Sequence, residues 1–311
     1  MNLMQGVIQI EQYYSKYRFL IVDMNLETLI LPAIYCAGIP LTAGLASILA
    51  FGRRNKISQG LLFHSILPSP KLSMSEYHVN KFSAFLDLLK ANSYETTVLR
   101  EYFNTEPSKR QKKIALTFDD GLKNFYEHAY PLLEQKKCKI TLFAVAGLCG
   151  KKSSWDVFDN GAHLSELELR TIAGSGHEIG SHTLTHASLP HLDNEYLLEE
   201  LRKSKRILED VIGTAVTSIS FPHGNWNDRI WKSAQEAGYT HCALYRGHDR
   251  AIERMLPVHG VYQFDSPEDI LARVSDSPLS ISRATARIMS HFSKGTPVYK
   301  INNRYDVSKY F

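Results

Sequence analysis

The chain has 311 residues, of which 44% are hydrophobic and 22% are charged, so it can bury one large core or two modest ones. Its net charge of +4 is too small to indicate a nucleic-acid partner without a clustered patch, and no arginine-rich or aromatic RNA-binding signature is present. The four cysteines show no CxxC spacing, which predicts buried thiols rather than a disulfide framework and favours a reducing compartment: Cys36, Cys138, Cys149 and Cys242.

The N-terminal segment, residues 1–57, contains an apolar stretch. Residues 28–52 carry no charge, are rich in Leu, Ile and Ala, and end at Arg53-Arg54-Asn55-Lys56. A stretch of this length can cross a bilayer, so we expect membrane association through a helix or hairpin. Pro32 and Pro40 favour a kinked or re-entrant element. The alternative is a pair of buried helices in a cytoplasmic protein.

The flanking charges bear on the membrane face, which they leave open. The cations after the apolar stretch outnumber Lys16 and Arg18 before it, and this small excess favours a cytoplasmic C-terminal part under the positive-inside rule. The tail, residues 276–311, is mildly basic, and both a solvated tail and a membrane-surface role are compatible with that.

Between these segments, residues 58–275 alternate between strand-like and helix-like patterns. Such alternation predicts βα units around a parallel sheet, an α/β fold. The predicted strands cover residues 60–64, 94–99, 113–118, 140–145, 177–181, 218–221 and 240–245. The predicted helices cover residues 75–91, 124–136, 165–173, 194–211, 228–237 and 267–274.

Two adjacent carboxylates, Asp119 and Asp120, follow the strand at 113–118 and precede Gly121. Neighbouring side chains on an emerging turn point in different directions, so one acid can bind a cation while the other faces what the cation activates. The alternative is a loop acid followed by a helix N-cap.

A histidine pair, His182 and His186, follows the strand at 177–181. If residues 183–185 form a helical turn, the spacing of four puts both imidazoles on one face. Two imidazoles and one carboxylate leave coordination positions open, as catalytic zinc sites do. We therefore expect zinc, with cobalt, nickel or manganese as alternatives, although the same ligand set also suits the iron of an oxygenase.

These residues carry a family resemblance. Thr117-Phe118-Asp119-Asp120-Gly121 and His182-Thr183-Leu184-Thr185-His186 resemble the first two motifs of the polysaccharide deacetylase family (carbohydrate esterase family 4), and residues 218–225 resemble its third. The resemblance spans about residues 60 to 274. It implies a distorted (β/α)7 barrel, Asp119 as general base, and Asp120, His182 and His186 as metal ligands.

The third motif and the late part of the chain supply the remaining candidates. The resemblance implies that the backbone at Pro222 and His223 lies beside the oxyanion, although His223 replaces an aromatic residue common in the family. Trp226 directly follows this motif and could stack on a sugar ring, as Trp155 also could. The residues expected to contact the saccharide are Phe221, Pro222, His223, Gly224 and Trp226.

A proton donor for the leaving amine is harder to assign. The late Leu-x-His-Asp motif of many family members is missing, which leaves His259 and His64 as alternative candidates. Most other histidines, His163 among them, have no partner at ligand spacing and are assigned to packing.

The sequence thus predicts a metal-dependent hydrolase that removes N-acetyl groups from the amino sugars of a polysaccharide or of a lipid-linked saccharide. The alternatives are a deformylase acting on a lipid-linked sugar, a catalytically silent saccharide-binding or membrane-associated assembly protein, and an iron oxygenase.

Overall fold

The computed structural model describes residues 59–70, 74–153, 161–245 and 253–275. The predictions for the apolar stretch at 28–52, for Trp155 and for the tail at 276–311 lie outside these residues. Within the described ranges, no helix combines the length and the apolar character needed to cross a membrane.

The described residues form ten strands and seven α-helices. The strands are β1 (Gly60–Phe63), β2 (Ser65–Leu67), β3 (Glu76–His78), β4 (Glu95–Thr97), β5 (Lys113–Phe118), β6 (Thr141–Ala144), β7 (Glu178–Ser181), β8 (Ser218–Ser220), β9 (His241–Tyr245) and β10 (Met255–Gly260). The helices are α1 (Val79–Ala91), α2 (Leu99–Asn104), α3 (Tyr130–Gln135), α4 (Glu166–Gly174), α5 (Asn194–Ile212), α6 (Asp228–Glu236) and α7 (Pro267–Val274).

A closed parallel barrel of seven strands organises the domain. Strand β1 pairs with β10 on one side and with β5 on the other, and β6 to β9 complete the ring. The barrel is distorted because β4 pairs with the N-terminal half of β5 while β6 pairs with its C-terminal end. The predicted (β/α)7 barrel is therefore confirmed.

Strand alternation divides the core into two layers. Leu62, Ala115 and Val258 belong to a cluster that fills the barrel interior. Leu61 and Leu116, their neighbours along the chain, belong to the larger cluster between the strands and the surrounding helices. Both faces of the strands are thus covered, which explains why the strands are continuous apolar runs in the sequence.

Several parts of the chain differ from the predicted elements, and β2, α2 and the π-helical turn at Phe125–Ala129 were not predicted. Helix α1 begins at Val79 and not at residue 75, because residues 76–78 form β3 and pair with β2. Strand β10 was not predicted, since Pro257 cannot donate a ladder hydrogen bond and argues against a central strand.

A buried histidine, His241, lies at the N-terminal end of β9 near the charges of Arg254 and Arg100. His241 stacks on Phe103 with the ring centroids 5.2 Å apart. Arg254 Nη1 lies 3.2 Å from His241 Nε2, and because a guanidinium only donates, Nε2 is an unprotonated acceptor. Burial, together with the charges of Arg254 and Arg100, lowers the pKa of His241 to about 4.

This histidine makes stability depend on pH. As the pH falls below about 6.5, the unfolded chain takes up the proton before the folded chain does, so the free energy of unfolding decreases until about pH 4. We expect the melting temperature to fall across this window. His241→Gln keeps an acceptor for Arg254 but cannot titrate, and its melting temperature should fall less steeply. Equal slopes for the two proteins would contradict this assignment.

Candidate metal and catalytic site

The candidate site lies at the carboxyl ends of the barrel strands, where barrels of βα units place their functional groups. Asp119 and Asp120 follow β5, His182 follows β7, and Ser220 is the last residue of β8. Parallel strands end at a common edge, so residues from distant parts of the sequence come together here.

Three side chains converge as a candidate metal-binding cluster. Asp120 Oδ1 lies 3.6 Å from His182 Nε2 and 3.4 Å from His186 Nε2. All three candidate ligand atoms lie within 4.8 Å of one another. Tetrahedral ligands at bond lengths of about 2.0–2.1 Å are about 3.3 Å apart, so the observed separations fit a small divalent cation.

A hydrogen bond to the backbone orients the first histidine. His182 Nδ1 lies 2.8 Å from the carbonyl oxygen of Ser220, and because a carbonyl only accepts, Nδ1 carries the proton. Nε2 therefore presents its lone pair towards Asp120. Metal-binding histidines are commonly oriented in this way by a partner on the other ring nitrogen.

The segment between the two histidines is a loop and not the helical turn that was predicted. Thr183 has φ +67° and His186 has φ +63°, both in the left-handed region that β-branched and bulky residues rarely adopt. The prediction of a helical turn was wrong because a spacing of four residues is also compatible with this loop.

Glu200, on α5, holds this loop in place. Its carboxylate is 3% exposed and accepts hydrogen bonds from Leu184 N at 3.0 Å, from Thr185 N at 3.1 Å and from the Thr185 hydroxyl. Burial raises the pKa of Glu200, and these hydrogen bonds oppose that shift. The sequence analysis did not identify Glu200, because no local spacing links it to the histidine motif.

A second buried residue supports the metal-binding carboxylate. Asp120 has φ +71°, and its carbonyl oxygen lies 2.9 Å from His163 Nδ1. Burial lowers the pKa of His163, which favours the neutral ring with an N–H donor at Nδ1. Gly121 follows with φ +61°, where a Cβ would lie 3.1 Å from the Cα of Ala144. His163, assigned to packing from the sequence, therefore fixes the backbone at a candidate ligand.

Asp119 lies beside the cluster as a separate, buried carboxyl group. Its Oδ2 accepts a hydrogen bond from Ser220 Oγ at 2.9 Å and lies 3.9 Å from His182 Nε2, whereas Oδ1 has no hydrogen-bond partner. Burial first, and then the charge of Asp120, raise the pKa of Asp119 well above its ordinary value. A divalent cation on Asp120 would oppose both effects.

The two candidate proton donors occupy different positions. His64 directly follows β1, whose last residue, Phe63, accepts a hydrogen bond from Asp119 N at 3.0 Å, so the two residues are adjacent at the barrel edge. His64 Nδ1 is buried and has no hydrogen-bond partner.

The structure does not bring His259 to the carboxylates. It pairs in register with Leu61, on the outer side of the barrel, while its neighbour Val258 points into the interior. His259 is therefore not retained as a proton donor.

Of the residues predicted to contact the saccharide, some pack in the hydrophobic core and others lie near the candidate metal-binding cluster. Phe221 is 2% exposed and belongs to the hydrophobic core, and the partly buried Trp226 packs against the same core, so Phe221 does not present a surface to a saccharide. The turn at Pro222–Gly224 approaches the metal-binding cluster. The ring of His223 lies edge-on to that of His186, with the centroids 4.7 Å apart.

Comparisons with known proteins agree with this fold. Residues 106–242 match the family model described as polysaccharide deacetylase. YxkH of Bacillus subtilis, which is named after the same family, is 29% identical over 182 residues, covering 58% of this chain and 61% of that protein. The peptidoglycan-N-acetylglucosamine deacetylase of Bacillus cereus is 30% identical over 139 residues, covering 44% of this chain and 59% of that protein.

A solved structure supports the fold. The Streptococcus pyogenes deacetylase PplD in complex with acetate has a TM-score of 0.61 at 23% identity, over 70% of this chain and 97% of that chain. The chain spans about three fifths of the length of the two curated relatives. The family resemblance inferred from the motifs is confirmed.

Removal of the Glu200 carboxylate tests its role in positioning the ligands. Glu200→Leu leaves the Leu184 and Thr185 N–H groups without an acceptor, so we expect zinc affinity to fall about 10- to 100-fold, as for other outer-shell partners. Glu200→Gln keeps one acceptor oxygen and should bind zinc with intermediate affinity. Glu195→Gln, an exposed change on the same helix, is the matched control. Wild-type zinc affinity in folded Glu200→Leu would contradict this role.

Proposed function

We propose that this chain, which belongs to the polysaccharide deacetylase family, is a metal-dependent hydrolase that removes acetyl groups from N-acetylglucosamine units of a polysaccharide. One observation carries the proposal: Asp120, His182 and His186 converge within metal-binding distance while Asp119, with one unpartnered oxygen, lies beside them. A protein that only bound saccharide would not require all four side chains.

The names of the relatives support this class of substrate. The Bacillus cereus relative is named for N-acetylglucosamine in peptidoglycan, a polymer. An acetylated polymer is therefore favoured over the lipid-linked saccharide that the apolar stretch at 28–52 had suggested. The same comparison favours acetyl over formyl as the group removed.

The donor set defines what a bound metal would contribute. Asp120, His182 and His186 would hold a divalent cation, which would lower the pKa of bound water and polarise the acyl oxygen of the substrate. Two imidazoles and one carboxylate favour zinc, and cobalt, nickel or manganese also fit these donors.

The protein's own residues then move the protons. Because Ser220 occupies Oδ2 of Asp119, Oδ1 is the oxygen left to accept a proton from the attacking water. His64, adjacent to Asp119 at the barrel edge, is the candidate that protonates the leaving amine. The backbone N–H of His223, in the turn beside His186, is the candidate donor to the oxyanion.

Acetate release tests the proposed activity. The substrates are chito-oligomers, peptidoglycan fragments and lipid-linked amino sugars, each measured with and without a chelator and after zinc is restored. We expect release from the polymer-derived substrates, loss with chelator and recovery with zinc. Release that the chelator does not affect would contradict the metal-dependent mechanism, and formate release in place of acetate would identify a deformylase.

Two substitutions separate metal binding from proton transfer. Asp119→Asn should keep zinc but lower kcat about 10²- to 10⁴-fold, because the amide cannot accept the proton. His182→Ala removes a ligand and should lose both zinc and activity. Asp210→Asn, an exposed change on α5, is the control. Full activity of Asp119→Asn would exclude it as the base.

A further inference from the structure

Helix α5 contacts the loop of the two candidate histidine ligands, residues 182–186, at a second point besides Glu200. Ser204 lies four residues after Glu200, so both side chains lie on one face of the helix. Ser204 is fully buried, and its hydroxyl accepts a hydrogen bond from Ser181 Oγ at 3.0 Å. Glu200 therefore holds the C-terminal part of the loop, and Ser204 holds the residue that precedes it.

Ser181 carries this contact into the loop itself. Its Oγ accepts a hydrogen bond from Thr183 N at 3.1 Å while it donates to Ser204. Thr183 has φ +67°, which a β-branched residue rarely adopts, so this conformation needs support from its surroundings. The Thr183 hydroxyl in turn accepts a hydrogen bond from His186 N at 3.2 Å. A continuous series of hydrogen bonds therefore joins α5 to the second histidine.

Tyr239, in the connection between α6 and β9, completes this series behind α5. Its hydroxyl lies 3.0 Å from Ser204 Oγ, and both hydroxyls lie 3.0 Å from the carbonyl oxygen of Leu201. Because Ser204 donates to this carbonyl oxygen, its lone pairs remain for the Ser181 proton. Tyr239 is 1% exposed, and burial raises the pKa of its phenol, which therefore stays protonated.

The three hydroxyl groups lie in a layer of the core that is otherwise rich in apolar side chains. Ile179, two residues before Ser181 on the same face of β7, belongs to the hydrophobic cluster between the strands and the helices. Buried hydroxyl groups are costly unless they are paired, and an apolar side chain would fill the same space without that cost. A fully paired network instead fixes one arrangement of the elements that it joins. Here that arrangement includes the turn that carries both histidines.

We propose that Ser181, Ser204 and Tyr239 are positioning residues that set the separation and orientation of the two histidines for metal binding. The proposal rests on the proposed function in one respect, the assignment of His182 and His186 as metal ligands. Tyr239 contacts neither histidine and acts through the two serines. Loss of its hydroxyl releases Ser204 from one of its partners and loosens the turn that Ser181 supports, so the metal binds more weakly.

Zinc affinity, measured by competition with a chromophoric chelator, tests the proposal without any need for turnover. Tyr239→Phe keeps the ring and removes one hydroxyl, so we expect zinc affinity to fall about fivefold, the factor that corresponds to one hydrogen bond. Ser181→Ala removes the acceptor of Thr183 N and should lower zinc affinity about tenfold or more. Tyr196→Phe, which removes an exposed hydroxyl from α5, is the matched control and should bind zinc as the wild type does.

A double variant shows whether the effect of Tyr239 passes through Ser181. In a chain that already carries Ser181→Ala, we expect Tyr239→Phe to change zinc affinity by less than about twofold, because residues of one network do not act additively. Ser204→Ala takes the place of Ser181→Ala if the latter chain does not fold. The visible spectrum of bound cobalt reports ligand geometry, and it should change in Tyr239→Phe but not in Tyr196→Phe.

Two results would overturn the positioning role. One is wild-type zinc affinity or an unchanged cobalt spectrum in folded Tyr239→Phe, which would assign the network to packing alone. The other is an equal loss of zinc affinity from Tyr239→Phe with and without Ser181, because the two residues would then act independently. Acetate release reports separately on the proposed function: a wild-type chain that binds zinc but releases no acetate contradicts that function and leaves the positioning role intact.

Discussion

Two residues of the candidate metal-binding cluster have backbone conformations in the left-handed region, and the site depends on the hydrogen bonds that hold these conformations. Asp120 and His186 both have positive φ, although neither is glycine. His163 binds the carbonyl oxygen of Asp120, and Glu200 binds the loop that leads to His186. Strained backbone persists where the surroundings over-determine it, and here the supporting side chains are themselves buried.

Electrostatics links the same residues to cation binding. Asp119 and Asp120 are adjacent, and burial together with the Asp120 charge favours the protonated form of Asp119. A bound cation would favour the carboxylate in both residues, so cation binding and the protonation state of Asp119 would be coupled. Ser220, the last residue of β8, contacts both the proposed base and a candidate ligand, through its hydroxyl on Asp119 and its carbonyl oxygen on His182.

The parallel sheet and the cluster residues could be predicted because their signals are local, whereas the barrel followed from the family resemblance. Alternating strands and helices indicate a parallel sheet, and Asp119, Asp120, His182 and His186 each follow a strand. Glu200 and His163 lie on other elements, and their roles come from tertiary packing alone, so no spacing identifies them. His259 was a reasonable candidate from its motif, but whether a strand residue points into or out of the barrel depends on register.

Diffraction from zinc-loaded crystals at the zinc absorption edge tests the central claim most directly. The account predicts one anomalous peak about 2.0–2.2 Å from Asp120 Oδ1, His182 Nε2 and His186 Nε2, with Asp119 outside bonding distance. A peak bound by Asp119 in place of Asp120, or no peak at this cluster in saturating zinc, would contradict it.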